Sequence, residues 1–75
     1  MTGNRFETQI FSIFGQCEAV AADMMIERHK LTRIEAHEIP ETAAVNEFGQ
    51  RARFAVVMPA KHLREFEKLC AELRA

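Results

Sequence analysis

The sequence predicts a small α+β domain in which a three-stranded antiparallel sheet carries two helices on one face. Two observations predict it. Three segments alternate apolar and polar residues with the period of a strand, and two longer segments repeat apolar residues with the period of a helix. Their order along the chain is β-α-β-β-α. Because each segment has one apolar side, the economical arrangement packs both helices against the same face of the sheet.

The first strand is predicted over residues 5–14, which are rich in aromatic and β-branched side chains. Phe6, Ile10 and Phe14 share one face of this strand, and we expect that face to point toward the helices. Phe11 and Ile13 share the opposite face. The later half of the strand is therefore apolar on both sides and is expected to be covered on both.

The first helix is predicted over residues 16–30, and the second strand over residues 31–39, where Pro40 ends it. In the helix, an apolar stripe recurs at helical spacing, and basic residues in the last turn suit the helix dipole. The strand places Ile34 on one face and Arg33, Glu35 and His37 on the other.

Residues 40–50 form a long connection, with a helical turn predicted at residues 42–45. Phe48 in this connection either folds back over the core or contacts a partner. The third strand, residues 51–58, is predicted to turn Ala52, Phe54, Val56 and Met58 inward and Arg51, Arg53, Ala55 and Val57 outward. The last helix is the clearest element, because one stripe of it holds Leu63, Phe66, Leu69, Cys70 and Leu73.

The element order resembles a ferredoxin-like fold that lacks its last strand. The resemblance implies that the first strand lies beside the third, that the second is outermost, and that the first strand has an open edge. An open edge has to be protected or paired. We therefore expect a homodimer at the first strand or over the outer sheet face, with Phe11, Ile13, Ala55 and Val57 buried between the two copies.

Two short segments, residues 10–13 and 51–58, resemble the first and third strands of an RNA-recognition motif. The resemblance implies that aromatic side chains on the open sheet face stack on RNA bases. The predicted register turns Phe54 inward, so the nucleic-acid contacts would be Phe11, Arg33, Arg51 and Arg53. The alternative is that these arginines pair with Glu35 and Glu7, as charged residues commonly do on solvated sheet faces.

No catalytic, cofactor or metal site is predicted. The candidate metal ligands are spread over several elements without a close spacing, and neither cysteine has a histidine neighbour that could serve as a base. These residues are Cys17, His29, His37, His62 and Cys70. A chain of 75 residues also leaves little room for a ligand pocket of the usual ~300–1,000 Å³.

Composition and charge narrow the class of function. One domain, residues 1–75, is 48% hydrophobic and 28% charged, which is typical of a globular protein. Its net charge of −1 gives no overall attraction to nucleic acid or to an anionic membrane. Two cysteines and no segment resembling a signal peptide favour a reduced, cytoplasmic setting without membrane association.

The expected function is that of a small non-enzymatic module, regulatory or inhibitory, that binds another protein and forms a homodimer. A nucleic-acid-binding module using the open sheet face is the first alternative. A regulatory domain that binds a small ligand at a dimer interface is the second. The predicted interface residues are Phe11, Ile13, Phe48, Arg51, Arg53 and Val57.

Overall fold

The structure is a computed structural model that describes residues 8–75. Its strands and helices follow the predicted order, and short 3-10 segments precede the second helix and the last one. The elements are β1 (Thr8–Ile13), α1 (Gln16–His29), β2 (Thr32–Glu35), a 3-10 turn (Ala36–Glu38), α2 (Glu41–Ala44), β3 (Phe54–Pro59), a second 3-10 turn (Ala60–His62) and α3 (Leu63–Arg74).

The three strands form one antiparallel sheet with the order β1-β3-β2. β3 lies in the centre and pairs with β1 on one side and β2 on the other, so Val57 stands opposite Ile10 and also opposite Thr32. This confirms the predicted α+β class and the predicted three-stranded antiparallel sheet. Among residues 8–75, no helix is long and apolar enough to cross a membrane.

The helices α1 and α3 run antiparallel to each other. The Sγ atom of Cys17, at the start of α1, lies 3.8 Å from the carbonyl oxygen of Leu73, at the end of α3. At the opposite end, His29 of α1 contacts Glu65 of α3. The end of one helix therefore lies beside the start of the other.

Local backbone chemistry fixes both ends of α1. Gly15 is its N-cap, and the Gly15 N–H donates to a carboxylate oxygen of Glu18 at 3.0 Å. At the other end Lys30 adopts a left-handed conformation with φ of 57°. That conformation stops the helix and redirects the chain into β2.

The main core lies between the sheet and the helices, and its composition corrects the predicted faces of β1. The inward positions of β3 are confirmed, but Phe11 and Ile13, predicted to point outward, pack in this core, where Ile13 is 2% exposed. The register explains the error. Ile13 stands opposite Phe54 and Phe11 opposite Val56, and directly opposed residues in a sheet share a face. The buried members are Ile13, Ala22, Met25, Phe54, Val56 and Met58.

The long connection covers part of the outer sheet face. A second cluster forms there from Ile39, Ala44, Ala52 and Ala55, and the Ser12 hydroxyl donates to the carbonyl of Ala43 at 2.6 Å. Ala55 is 0% exposed, so the prediction that it lies between two chains is wrong.

Several element boundaries differ from the predictions. The second strand ends at Glu35 because the N–H of Ile39 bonds back to the carbonyl of Ala36 in a turn. The third strand begins at Phe54, and the irregular backbone before it puts Ala52 in the outer cluster instead of the core. The predicted turn at residues 42–45 is α2, Glu41–Ala44. Residues 5–7 of the predicted first strand lie outside the described residues.

Candidate functional site

β1 has a free edge. It pairs with β3 on one side, and no strand among residues 8–75 pairs with its other side. The carbonyl of Ile13 accepts a hydrogen bond from the N–H of Arg53 at 2.8 Å. Because backbone groups alternate in direction along a strand, the N–H and C=O groups of Thr8, Ile10 and Ser12 point away from β3. A row of donors and acceptors therefore lines this edge.

An apolar strip lies on the outer face beside the free edge. We call Ile10, Val57 and Thr32 the outer strip, since the two flanking residues stand opposite Val57 from either side. Ile10 is 46% exposed, and Val57 is half-buried. Of the predicted interface residues, Val57 thus has the outward position that the sequence assigned to it.

Arg33 lies on the helix side of the sheet, so its predicted position on the outer face is wrong. Its guanidinium carbon sits 3.9 Å from the ring centre of Phe54, a core residue, and Nη1 donates to Asp23 of α1 at 3.0 Å. The cause is again the register, which sets Arg33 opposite the inward Val56. Arg33 also pairs with Glu35 at 3.0 Å, within its own strand and not across strands as the alternative expected, whereas Glu7 lies outside the described residues.

The structure does not bring the four predicted nucleic-acid contacts together. Phe11 packs against the core and Arg33 is held among α1 and β2 groups. Arg51 and Arg53 are exposed. The Nε of Arg53 donates to the carbonyl of Phe14 at 3.0 Å. The backbone of Arg51 forms an isolated antiparallel β-bridge with that of Val45. An aromatic platform flanked by three arginines is therefore not formed.

Phe48 stands at the tip of an ordered turn. The side chain of Asn46 accepts hydrogen bonds from the N–H groups of Phe48 at 2.9 Å and Gln50 at 3.0 Å. Gly49 takes a φ of 80°, which favours glycine. Phe48 is 78% exposed. Of the two predicted alternatives, folding back over the core is thus wrong, and the ring is presented to solvent by a fixed backbone.

A groove of about 460 Å³ opens beside this turn, between the residues that follow β1 and the end of α3. A chain of this size had been expected to have little room for such a volume. Phe14 and Phe48 supply apolar lining, and Cys17, Glu18 and Arg74 also line the groove. Glu18 already accepts from the N–H of Gly15 and lies 4.0 Å from Arg74. The groove combines apolar walls with an internally paired charge.

A cluster of titratable groups forms where α1 ends and α3 begins. The Nε2 atom of His29 shares a hydrogen bond of 2.9 Å with Glu65, whose other carboxylate oxygen accepts from Arg28. The rings of His29 and His62 stack with centroids 4.1 Å apart and planes 24° apart. One ligand atom from each of His29, His62 and Glu65 lies within 4.8 Å of the others.

The surroundings shift the pKa values of His62 and Glu65. Desolvation, followed by the positive charges of His29 and Lys61, lowers the pKa of His62. Hydrogen bonds from Arg28 and then His29 lower the pKa of Glu65. The cluster therefore combines two imidazoles and a carboxylate, which are side-chain types that bind metal ions.

The sequence reasoning missed this cluster. His29 and His62 had been assigned ordinary surface positions, at a helix end and a helix start, and the structure shows that these two ends meet. One local signal was present. His62 and Glu65 are three residues apart, so they share one helix face. His29 joins them only through the antiparallel packing of α1 on α3, which no local spacing reveals.

The cysteines do not form a site with the histidines. Cys70 is buried in the helix layer, as predicted, and burial raises the pKa of its thiol. Cys17 is half-buried at the groove.

Comparisons with protein-family models, with curated proteins and with solved structures found no match to this chain.

Proposed function

We propose that this chain is a non-enzymatic protein-binding module, regulatory or inhibitory in kind, that assembles by strand addition at the free edge of β1. The assembled form is a homodimer. The observation that carries the proposal is the row of outward backbone groups at Thr8, Ile10 and Ser12 beside an exposed Ile10. An unpaired strand edge is a template for another strand.

The β1 edge has few of the features that block such pairing. Natural edges are protected by proline, by lysine or by inward-pointing charge. Over Thr8–Ile13 the sequence is TQIFSI, which holds none of these. The strand is also six residues long, close to the usual length of a β-strand, so a partner strand can pair along all of it.

The outer strip supports an isologous pair. If two β1 strands run antiparallel about a two-fold axis, the sheet continues across the interface and the two Ile10 side chains share one face. Each Ile10 then lies in a continuous apolar row with its own Val57. Burial of this row adds hydrophobic stabilisation to the new backbone hydrogen bonds, at ~25 cal/mol per Å² of apolar surface.

The exposed turn supports binding to a different protein as well. Phe48 supplies a large aromatic side chain on a backbone held by Asn46, so little conformational entropy is lost on contact. Aromatic side chains are enriched among the residues that dominate interfaces. Together with Arg51 and Arg53 nearby in the chain, Phe48 retains the role that the sequence predicted for it. A reduced, cytoplasmic setting suits the two free cysteines.

A matched pair of lysine variants tests the homodimer. Ile10 and Thr32 are both exposed, both stand opposite Val57, and they lie on opposite edges of the sheet. We expect Ile10→Lys to give a monomer at tens of micromolar in sedimentation velocity, because two like charges then meet across the two-fold axis. We expect Thr32→Lys to remain a dimer.

Two results would contradict the proposal. A wild-type monomer at tens of micromolar would overturn the homodimer. A dimer that survives Ile10→Lys but dissociates in Thr32→Lys would place the interface on β2. Far-UV circular dichroism of both variants shows whether either change has disturbed the fold instead.

A further inference from the structure

We propose that His29, His62 and Glu65 form a binding site for a divalent transition-metal ion, Zn²⁺ by its donor chemistry, which joins the end of α1 to the start of α3. The site is separate from the β1 edge and does not depend on the homodimer. It uses two imidazole nitrogens and one carboxylate oxygen, a donor set that suits zinc.

The distances are close to those of a coordinated ion. Zinc binds nitrogen and oxygen ligands at about 2.0–2.1 Å, so two ligand atoms of a tetrahedral site lie roughly 3.4 Å apart. Here the ligand atoms of all three residues lie within 4.8 Å of one another, and His29 and Glu65 are already 2.9 Å apart. An ion that binds all three residues draws these atoms together through rotations about their side-chain bonds.

The backbone holds the three residues in place independently of an ion. His62 and Glu65 lie one helical turn apart at the start of α3, and His29 occupies the last position of α1. The rings of His29 and His62 already lie together, with centroids 4.1 Å apart, and their stack opens when both ring nitrogens turn toward one ion. The ligands are thus largely prearranged, which reduces the entropy lost on binding.

Arg28 orients the carboxylate of Glu65. It binds one oxygen of Glu65 and so leaves the other oxygen, Oε1, directed at His29. Such outer partners fix ligand orientation in metal sites. Arg28 also brings a positive charge, which opposes a cation, so the affinity is expected to be below that of a site with thiolate ligands.

Three protein ligands leave one position of a tetrahedron available to water or to a side chain of another molecule. All three residues are partly exposed, so an ion can enter from solvent without unfolding of the chain. An ion that binds the folded chain at two helix ends stabilises that state against unfolding.

Titration of the full chain with zinc chloride tests the site. Isothermal calorimetry is expected to show one ion bound by wild type, and a weakening of more than ~10-fold in each of His29→Gln, His62→Gln and Glu65→Gln. His37→Gln is the control, because His37 lies on the exposed turn Ala36–Glu38, outside the proposed site. This variant should bind zinc as wild type does. Saturation with zinc should also raise Tm in wild type and not in Glu65→Gln.

Cobalt(II) gives an independent readout. Replacement of zinc by Co²⁺ should produce visible absorption without a sulfur-to-cobalt charge-transfer band, since the donors are nitrogen and oxygen. The proposal is overturned if zinc does not bind, if His62→Gln and Glu65→Gln bind it as wild type does, or if His37→Gln loses it equally. A sulfur-to-cobalt band would likewise overturn it, by assigning the ion to a cysteine.

Discussion

The two edges of the sheet differ in how they meet solvent. β2, at one edge, has four residues, carries Arg33 and Glu35, and turns into a 3-10 segment immediately afterwards. β1, at the other edge, has six residues and no charged side chain over Thr8–Ile13. Both pair with the same central strand, so the difference lies in the edge residues and not in the sheet.

The two edge strands are attached to neighbouring segments by different polar side chains, a charged one on β2 and a neutral one on β1. The guanidinium of Arg33 packs over the ring of Phe54 and pairs with Asp23 of α1. It therefore shields a core ring from solvent and links β2 to α1. On β1, the hydroxyl of Ser12 donates a hydrogen bond to the carbonyl of Ala43 and so holds the long connection on the strand. This hydrogen bond lies on the outer face. It does not cover the edge of β1, with which no second strand among residues 8–75 pairs.

The largest expected effect compares the main core on the helix side of β1 with the smaller outer cluster at β2. Ile13→Ala should lower the free energy of unfolding by about 3 kcal/mol, since it leaves a cavity in the main core. Ile34→Ala should cost about 1–2 kcal/mol, because Ile34 is half-buried in the smaller outer cluster. Urea unfolding with an unchanged m-value measures both. Equal losses would contradict the two-core arrangement.

A smaller effect tests how β2 is closed. Arg33→Ala should cost about 1–2 kcal/mol, the sum of a cation–π contact and two partly exposed ion pairs. Arg33→Lys should fall between this variant and wild type, because lysine keeps the charge but not the planar fork.

The control for Arg33 is Arg64→Ala, on an exposed position of α3, which should change stability by less than about 0.5 kcal/mol. If Arg33→Ala is as mild as this control in chemical denaturation, the stacking on Phe54 does not stabilise the β2 edge.

Ser12→Ala tests the hydrogen bond between β1 and the long connection. Loss of its hydrogen bond to Ala43 should cost about 1 kcal/mol, because the carbonyl is left without this donor. Thr8→Ala is the matched control on the same face of the same strand, where Thr8 is exposed, and should be near neutral. A thermal-unfolding comparison distinguishes them, and equal Tm values would contradict the proposed role of Ser12.

Hydrogen exchange gives the most local test of the β1 edge and requires no substitution. In dilute protein the amides of Ile10 and Ser12 should exchange fast, whereas those of Phe11 and Ile13, directed at β3, should be protected. The Ile10 amide should become protected as the protein concentration rises and β1 pairs with a second copy. Protection of Ile10 at the lowest concentration would show that a single chain covers its own edge.

Much of the fold follows from periodicity. The inward residues of β3 and the apolar stripe of α3 were predicted because each has one clear apolar side. The faces of β1 were not, because Ile10 and Phe14 alternate with Phe11 and Ile13 and both sets are apolar. A period of two places residues on two faces but does not say which face the helices cover. The register against β3 decides it.

The site was predictable only in part. The free edge followed from the element order, whereas the sequence left open whether Phe48 folds back over the core or is exposed to a partner. The position of the connection on the outer face depends on contacts such as Ser12 with Ala43, which are 31 residues apart. The joining of His29 to His62 and Glu65 depends in the same way on how two distant helices pack.

The central position of β3 also sets the order of events during synthesis. Ile13 pairs with Phe54, 41 residues further on, so β1 cannot pair within the chain until the last strand has been made. At ~5–20 residues per second the ribosome takes roughly 2–8 s to cover that separation. During this interval β1 lacks its partner β3, and a strand of a neighbouring nascent chain is an available substitute. The helix α1, whose bonds are local, has no such delay.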